Sequence, residues 1–456
     1  MIDTLAVRNR ILRLAFSGQL TERDNTDDSV DELLSRINPK VNIAQDSDTP
    51  YEIPASWAWV RLADLYTINP KVEADESIDA AFIPMERIDP GFEDSFTYEI
   101  QSWGKASKNH TKFQNDDVAF AKISPCFENR KSFVAKDLPN GIGGGTTELI
   151  ILRQNEMFPK YTYYLVSDQR FINVGAASYK GTVGQQRVQS DVVKNYLVPV
   201  PSFSEQIRIV EKIESAFSIL DIIDDYQQQY VDNVEQIRNK VIDAALHGEL
   251  TEQLPEDGSS LDYLSCIEGF SEISAQEVLD KPYDLPENWT WCKFSQVVDF
   301  YLGKTPARGN KLYWTEGKYP WVSIGDMSAR GYISSTKEKV SQKAYDECFS
   351  RGLSPKGTLI MSFKLSIGKV AILDIDSFHN EAIISICPRY DEDETFKNYL
   401  YWVLPTIAQN TEAHGAIKGN TLNKTSLSGM MIPIPPLQEQ KRIVDAICNI
   451  SEVLNS

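Results

Sequence analysis

Three stretches of this chain recur in the same order about half a chain later, so a fold adopted by one half must serve both. Val7 to Asn25 (VRNRILRLAFSGQLTERDN) returns as Ile237 to Pro255 (IRNKVIDAALHGELTEQLP), with 7 of 19 positions identical. Tyr51 to Val60 (YEIPASWAWV) returns as Tyr283 to Cys292 (YDLPENWTWC), keeping Tyr, Pro and both Trp. Val198 to Glu211 (VPVPSFSEQIRIVE) returns as Ile432 to Asp445 (IPIPPLQEQKRIVD), with 7 of 14 identical. Between them lie two segments, roughly 66–197 and 298–431, whose sequences differ far more. The pattern is one scaffold carrying two different inserts.

The repeated frame reads as helix. Ser202 and Glu205 have the spacing of a capping box. Val210, Ile213, Phe217 and Leu220 then step by three and four, and Val231, Val234, Ile237, Val241 and Ala244 resume the rhythm. Asp224 and Gln227 interrupt the seam, and no proline or glycine intervenes before Gly248, a natural C-terminal cap. A helix of about 45 residues would extend about 70 Å, the length of a coiled-coil spacer. The first helix (Leu5 to Phe16) matches the distal end of this helix, and the last (Leu437 to Leu454) matches its proximal end. Repeat order therefore predicts a second, broken copy of the central helix, packed antiparallel to it with pseudo-twofold symmetry, and one insert projecting from each end.

Charge separates the inserts from the frame. The net charge of −19 is unlike the usual basic footprint of a nucleic-acid-binding protein. Yet residues 301–370 hold 12 Lys/Arg against 5 Asp/Glu, and residues 101–136 hold 7 against 3, one basic excess in each insert. Two positive faces on an acidic body account for this better than an unevenly charged surface does. No apolar run reaches the roughly 20 residues of a membrane span. The N-terminus lacks the apolar block of a signal peptide. The six scattered cysteines show no metal spacing and read as buried, reduced thiols of a cytoplasmic chain. The four histidines form no ligand pattern.

Two inserts flanked by helical repeats, each followed by a version of PxPxxxEQxRIV, resemble the specificity (S) subunit of type I restriction–modification systems. The residues that carry the likeness are Ile432 to Gln440 and its weaker partner Val198 to Gln206, with Pro54/Trp57 and Pro286/Trp289 at the entries to the inserts. In the second insert GKTPARGNKLYW (303–314), PWVSIGD (320–326) and NEAI (380–383) are similar to segments of some target-recognition domains. The first insert matches less closely, and Ser202-Phe203-Ser204 stands where Pro-Leu-x is usual.

The resemblance implies an α+β chain: two globular α/β target-recognition domains held apart by two long antiparallel helical conserved regions, with a pseudo-twofold internal repeat. The implied segments are an N-terminal helical region (1–48), target-recognition domain 1 (49–201), a central long-helix region (202–281), target-recognition domain 2 (282–435) and a C-terminal helix (436–456). Each domain would read one half of a split, asymmetric site in double-stranded DNA. The helices would set the spacing and dock two methyltransferase (M) subunits, with restriction (R) subunits as further partners. No cofactor is implied for this chain itself; S-adenosylmethionine would sit on the methyltransferase partner, and ATP and Mg on the restriction partner.

Catalytic signatures are lacking. No Asn/Asp-Pro-Pro-Tyr/Phe tetrapeptide, GxGxxG or P-loop occurs. The glycine cluster GIGGGT (141–146) has no following lysine and reads as a turn. Groove reading calls for Arg, Lys, Asn and Gln on loops for base edges, with Lys, Ser and Thr on phosphates. Candidates in the first insert are Lys122, Asn129, Arg130 and Lys131 in KISPCFENRK, and Tyr179, Lys180, Thr182, Gln185, Gln186 and Arg187 in SYKGTVGQQR. Those in the second are Lys304, Thr305, Arg308 and Asn310, then Lys364 and Lys369 beside a strand turn, and Lys418, Asn420, Thr421 and Lys424 in IKGNTLNK. Taken singly, each also reads as an ordinary surface residue. Two other functions fit the frame: a complete methyltransferase with its own readers, and a coiled-coil adaptor that joins proteins without touching DNA.

Overall fold

A computed structural model describes all residues except 23, 25, 46–48, 155, 183, 274–280, 415–421 and 456. It divides into two compact units, Met1–Gln229 and Tyr230–Ser456. Among the described residues no helix is long and apolar enough to cross a membrane.

The strands of unit 1 are β1 (Ala58–Arg61), β2 (Thr67–Ile68), β3 (Asp79–Ile83), β4 (Glu99–Ser102), β5 (Thr111–Gln114), β6 (Val118–Ala121), β7 (Ser132–Val134), β8 (Ile142–Gly145), β9 (Leu149–Arg153) and β10 (Leu197–Val200). β1 and β10 pair antiparallel, Ala58 opposite Val200 and Arg61 opposite Leu197, and so close the insert at its base. Inside that closure lie two sheets, ordered β2-β9-β6-β7 and β4-β3-β8-β5. β3 and β8 run parallel. The glycine cluster expected as a turn is mostly β8. A Cβ on Gly143 would fall 2.4 Å from the Phe113 ring, and one on Gly144 would fall 2.0 Å from the Ala106 carbonyl oxygen. These glycines are needed because neighbours press against the strand; sequence spacing gave no sign of that packing.

Unit 2 contains β11 (Thr290–Lys293), β12 (Val298–Leu302), β13 (Tyr319–Val322), β14 (Arg330–Ile333), β15 (Glu338–Val340), β16 (Leu359–Ser362), β17 (Val370–Leu373), β18 (Phe378–His379), β19 (Ile383–Pro388) and β20 (Met431–Ile434). β11 and β20 close the second insert in the register used by β1 and β10. Its sheets run β12-β19-β16-β17-β14 and β15-β13-β18; β13 and β18 run parallel, as β3 and β8 do, and so do β14 and β17. β12, β19, β16 and β17 thus repeat the order of β2, β9, β6 and β7. The two inserts share this four-strand order despite their unlike sequences, and the second extends it with β14.

The frame is the helix Phe203–His247 together with the helices Thr4–Phe16 and Leu437–Asn455. In unit 1 Thr4 donates to Asp224 (2.6 Å), and Arg8 reaches both Asp224 and Asp221 (2.8 Å each). Rising numbers on one helix meet falling numbers on the other, which makes the pair antiparallel. The distal part of the long helix, in unit 2, pairs with the last helix in the same sense. There Ile242 shares a core with Ile443 and Ile447, and the Tyr230 hydroxyl donates to the Leu454 carbonyl (3.4 Å).

The repeated pieces meet in two matching clasps. In unit 1 the Trp57 indole donates to Glu205 (2.8 Å), Arg208 holds Asp27 (2.5 Å), and Tyr161 donates to the Pro199 carbonyl (2.8 Å). In unit 2 Trp289 donates to Glu439 (2.8 Å), Arg442 holds Asp257 (2.8 Å), and Tyr399 donates to the Pro433 carbonyl (2.9 Å). Ser202 accepts from the Glu205 amide (3.2 Å), as an N-cap should. The Glu205 carboxylate, expected to complete a capping box, accepts the tryptophan. Burial raises the pKa of Glu439 although Trp289, Thr251 and Gln253 all donate to it. Gly18 and Gly248 end their helices with φ of 68° and 72°, and a Cβ on either would strike Pro54 or Pro286. Each glycine therefore both caps its helix and lets the Pro–x–x–Trp segment lie close.

Candidate nucleic-acid interface

In unit 1 the two predicted loops are sewn together. Ile123 and Lys180 each bridge to Arg187, the Ser124 amide donates to the Gln186 carbonyl (2.8 Å), and the Val188 amide donates to the Lys122 carbonyl (2.9 Å). Lys180, Thr182, Gln185 and Arg187 are exposed, and Lys122, Gln186 and Tyr179 are partly so. The Tyr179 ring stands edge-on to Phe127 at 6.3 Å, anchoring the loop to the core. Asn129 lies exposed on the 124–130 turn. Arg130 and Lys131 differ from expectation. Arg130 is 9% exposed; its guanidinium donates to the Ser167 carbonyl, Asn9 and Gln169, and lies 4.8 Å from the Phe92 ring. It braces the interior of unit 1 because a guanidinium can be buried once its donors find acceptors. Lys131 is half-buried and donates to the Met85 carbonyl (2.9 Å).

In unit 2 Lys304 to Asn310 form a loop laid over aromatic rings. Arg308 lies 3.9 Å from the Trp314 ring centroid and 4.8 Å from that of Trp321, and grips Glu338 with both terminal nitrogens (2.5 and 3.0 Å). Trp321 in turn donates to the Lys304 carbonyl (3.0 Å). Thr305 bonds Glu381, and Asn310 caps a short helical turn through the Leu312 amide (3.2 Å). Lys364 and Lys369 lie on the connection between β16 and β17. Lys364 sits 5.3 Å from the Phe363 ring, and Lys369 donates to the Met327 carbonyl (3.1 Å), as Lys131 does to Met85. Lys424 is exposed at the start of the helix Lys424–Gly429. Lys418, Asn420 and Thr421 lie outside the described residues.

Lys304 also lines a cavity of about 360 Å³ with Tyr301, Arg351, Phe349 and His379. The exposed Arg351 lies over the Tyr301 ring and had not been singled out. The basic excess of 301–370 was the signal that included it. Burial pushes the pKa of His379 down to about 4, so its ring is neutral at pH 7. Among the described residues no cluster of three or more His, Cys, Asp or Glu side chains could hold a metal ion. The six cysteines are all unpaired; only Cys292 is buried, while Cys266 and Cys387 are exposed, contrary to the expectation of a buried set.

Residues 286–455, which include all the strands of unit 2 and the last helix, match the family model for the type I restriction modification DNA specificity domain. This chain thus carries that family's domain in its second half. Among its relatives are the specificity subunits of the Escherichia coli type I restriction enzymes EcoEI and EcoAI. They are 29% identical over 375 residues and 30% identical over 372, covering 66% and 65% of this chain. The match spans 63% of each relative's length. The specificity-domain fold extends over both inserts. A chain from a type I R-M system assembly superposes with a TM-score of 0.63 at 18% identity, covering 89% of this chain and 93% of its own. The HsdS subunit from Thermoanaerobacter tengcongensis gives 0.52 at 18% identity, covering 90% and 92%.

Proposed function

We propose that this chain is the DNA sequence-specificity subunit of a type I restriction–modification complex. Each insert, 49–201 and 282–435, reads one half of a bipartite, asymmetric site in double-stranded DNA. The helical regions dock two methyltransferase subunits and, through them, restriction subunits. The chain performs no chemistry itself; S-adenosylmethionine, ATP and Mg belong to its partners, and the assembly works in the cytoplasm. The observation that carries this reading is the four-strand order shared by two inserts whose loop sequences differ. One fold presenting two different sets of polar side chains suits two unlike half-sites.

The contacts proposed for the first half-site are the partly exposed Lys122 and the exposed Asn129, Lys180, Thr182, Gln185 and Arg187 of the paired loops. Those for the second are Lys304, Arg308, Lys364 and Lys424. Lysines at such positions serve phosphates, and arginine can take a guanine edge through two parallel bonds. Base-resolution mapping of adenine methylation in the host, with and without the chain, tests the proposal. Loss of one split, non-palindromic motif on deletion is the expected result. Persistence of every motif, in a host that expresses the chain, would overturn it.

A further inference from the structure

The arginines and lysines of the two candidate surfaces are held differently. Among the described residues Lys122, Lys180, Lys304, Lys364 and Lys424 carry no ion pair, whereas each exposed arginine proposed as a DNA contact is locked to a glutamate. Arg187 meets Glu148 through Nε (2.9 Å) and a terminal nitrogen (2.8 Å). Arg308 meets Glu338 through both terminal nitrogens (2.5 and 3.0 Å). The glutamates come from unrelated places, one between β8 and β9 and the other at the start of β15. The arrangement therefore arose separately in each insert, not from a residue inherited with the repeat.

We propose that Glu148 and Glu338 are specificity-determining residues that withhold Arg187 and Arg308 from non-specific DNA. The inference rests on the DNA-reading function proposed above. A guanidinium gripped by a carboxylate offers no net charge to a passing phosphate, and non-specific affinity is almost wholly such charge. The fork used on the carboxylate is the same one that meets the two acceptors of a guanine edge. A correctly placed pair of acceptors can replace both carboxylate bonds at once, whereas a lone phosphate oxygen replaces them poorly. Both pairs are open enough to exchange. Side-chain exposure is 44% for Arg187 and 21% for Glu148, and 52% for Arg308 and 42% for Glu338. Trp314 beneath Arg308 keeps the guanidinium plane in place when the carboxylate is released.

The test is the binding of the full chain, assembled with its methyltransferase, to a random-sequence duplex between 50 and 200 mM salt. Glu148→Gln or Glu338→Gln should each free one cation and steepen the log K against log salt slope by about 0.9, an extra loss of about 3.5-fold over that range. The double variant should show about twice the change in slope. Glu252→Gln, which removes one exposed carboxylate from the frame, controls for net charge and should leave the slope unchanged. If wild-type complex binds the duplex and the glutamine variants share its slope, or if Glu252→Gln steepens it equally, the inference is overturned while the DNA-reading function stands. Failure of the wild-type complex to bind any duplex would overturn both.

Discussion

At the scale of single residues, burial decides roles that residue type leaves open. His379 is 5% exposed on β18, and its folded pKa of about 4 lies below the ordinary value of 6.5. The unfolded chain therefore binds this proton more readily than the folded one. The stability linked to His379 is present above pH 6.5 and is lost as pH falls toward 4, by about 3 kcal/mol in all. Urea midpoints measured from pH 7 to 4 should fall more steeply for wild type than for His379→Gln; parallel curves would show that the ring is accessible when folded. Arg130 teaches the same lesson. In the sequence it is one basic residue in a polar loop, and nothing local says that Ser167, Asn9 and Gln169 will converge on it. Arg187 and Arg308 could be recognised as loop arginines, but the glutamates that hold them are distant in the chain and so were not.

At the scale of elements, the recurrent motifs have a physical explanation. EQ of PxPxxxEQ supplies Glu205 and Glu439 to the indoles of Trp57 and Trp289, and Gln206 and Gln440 to the carbonyls of Pro201 and Pro435. Each insert is thus tied at its base to the helix that follows it. Trp289→Phe should destabilise unit 2 by about 1–3 kcal/mol through the buried carboxylate left short of a donor. Trp57→Phe should act likewise on unit 1. Chemical denaturation followed by circular dichroism would measure both, and an unchanged midpoint in either variant would remove the clasp from the account of its unit. The helices themselves were legible because periodicity, Ser202 and Gly248 are local signals; they run Thr4–Phe16, Phe203–His247 and Leu437–Asn455, within a residue or so of the expected bounds. The strand nature of the 142–145 glycines was not, since it depends on Phe113 and Ala106 pressing from other elements.

At the scale of the whole molecule, the long helix leaves apolar groups in water. Ile219, Ile222 and Tyr226 of unit 1 are 54–66% exposed, with spacings of three and four that keep them on one stripe. Partner subunits of the proposed complex would cover such a stripe. The isolated chain is expected to self-associate in light scattering as concentration rises, and to become monodisperse on adding methyltransferase. A monodisperse monomer alone would argue against that docking role.

The sequence by itself determined the duplicated frame, its helices, their caps and the antiparallel order of the matching pieces, because repeats and periodicity record which faces must be buried. It also located the basic loops. Tertiary structure alone decided that two inserts of unlike sequence share a four-strand order. It likewise decided that Arg130 is interior, and that glutamates hold Arg187 and Arg308. Those outcomes depend on residues far apart in the chain arriving within about 3 Å of one another, a proximity that neither composition nor spacing encodes.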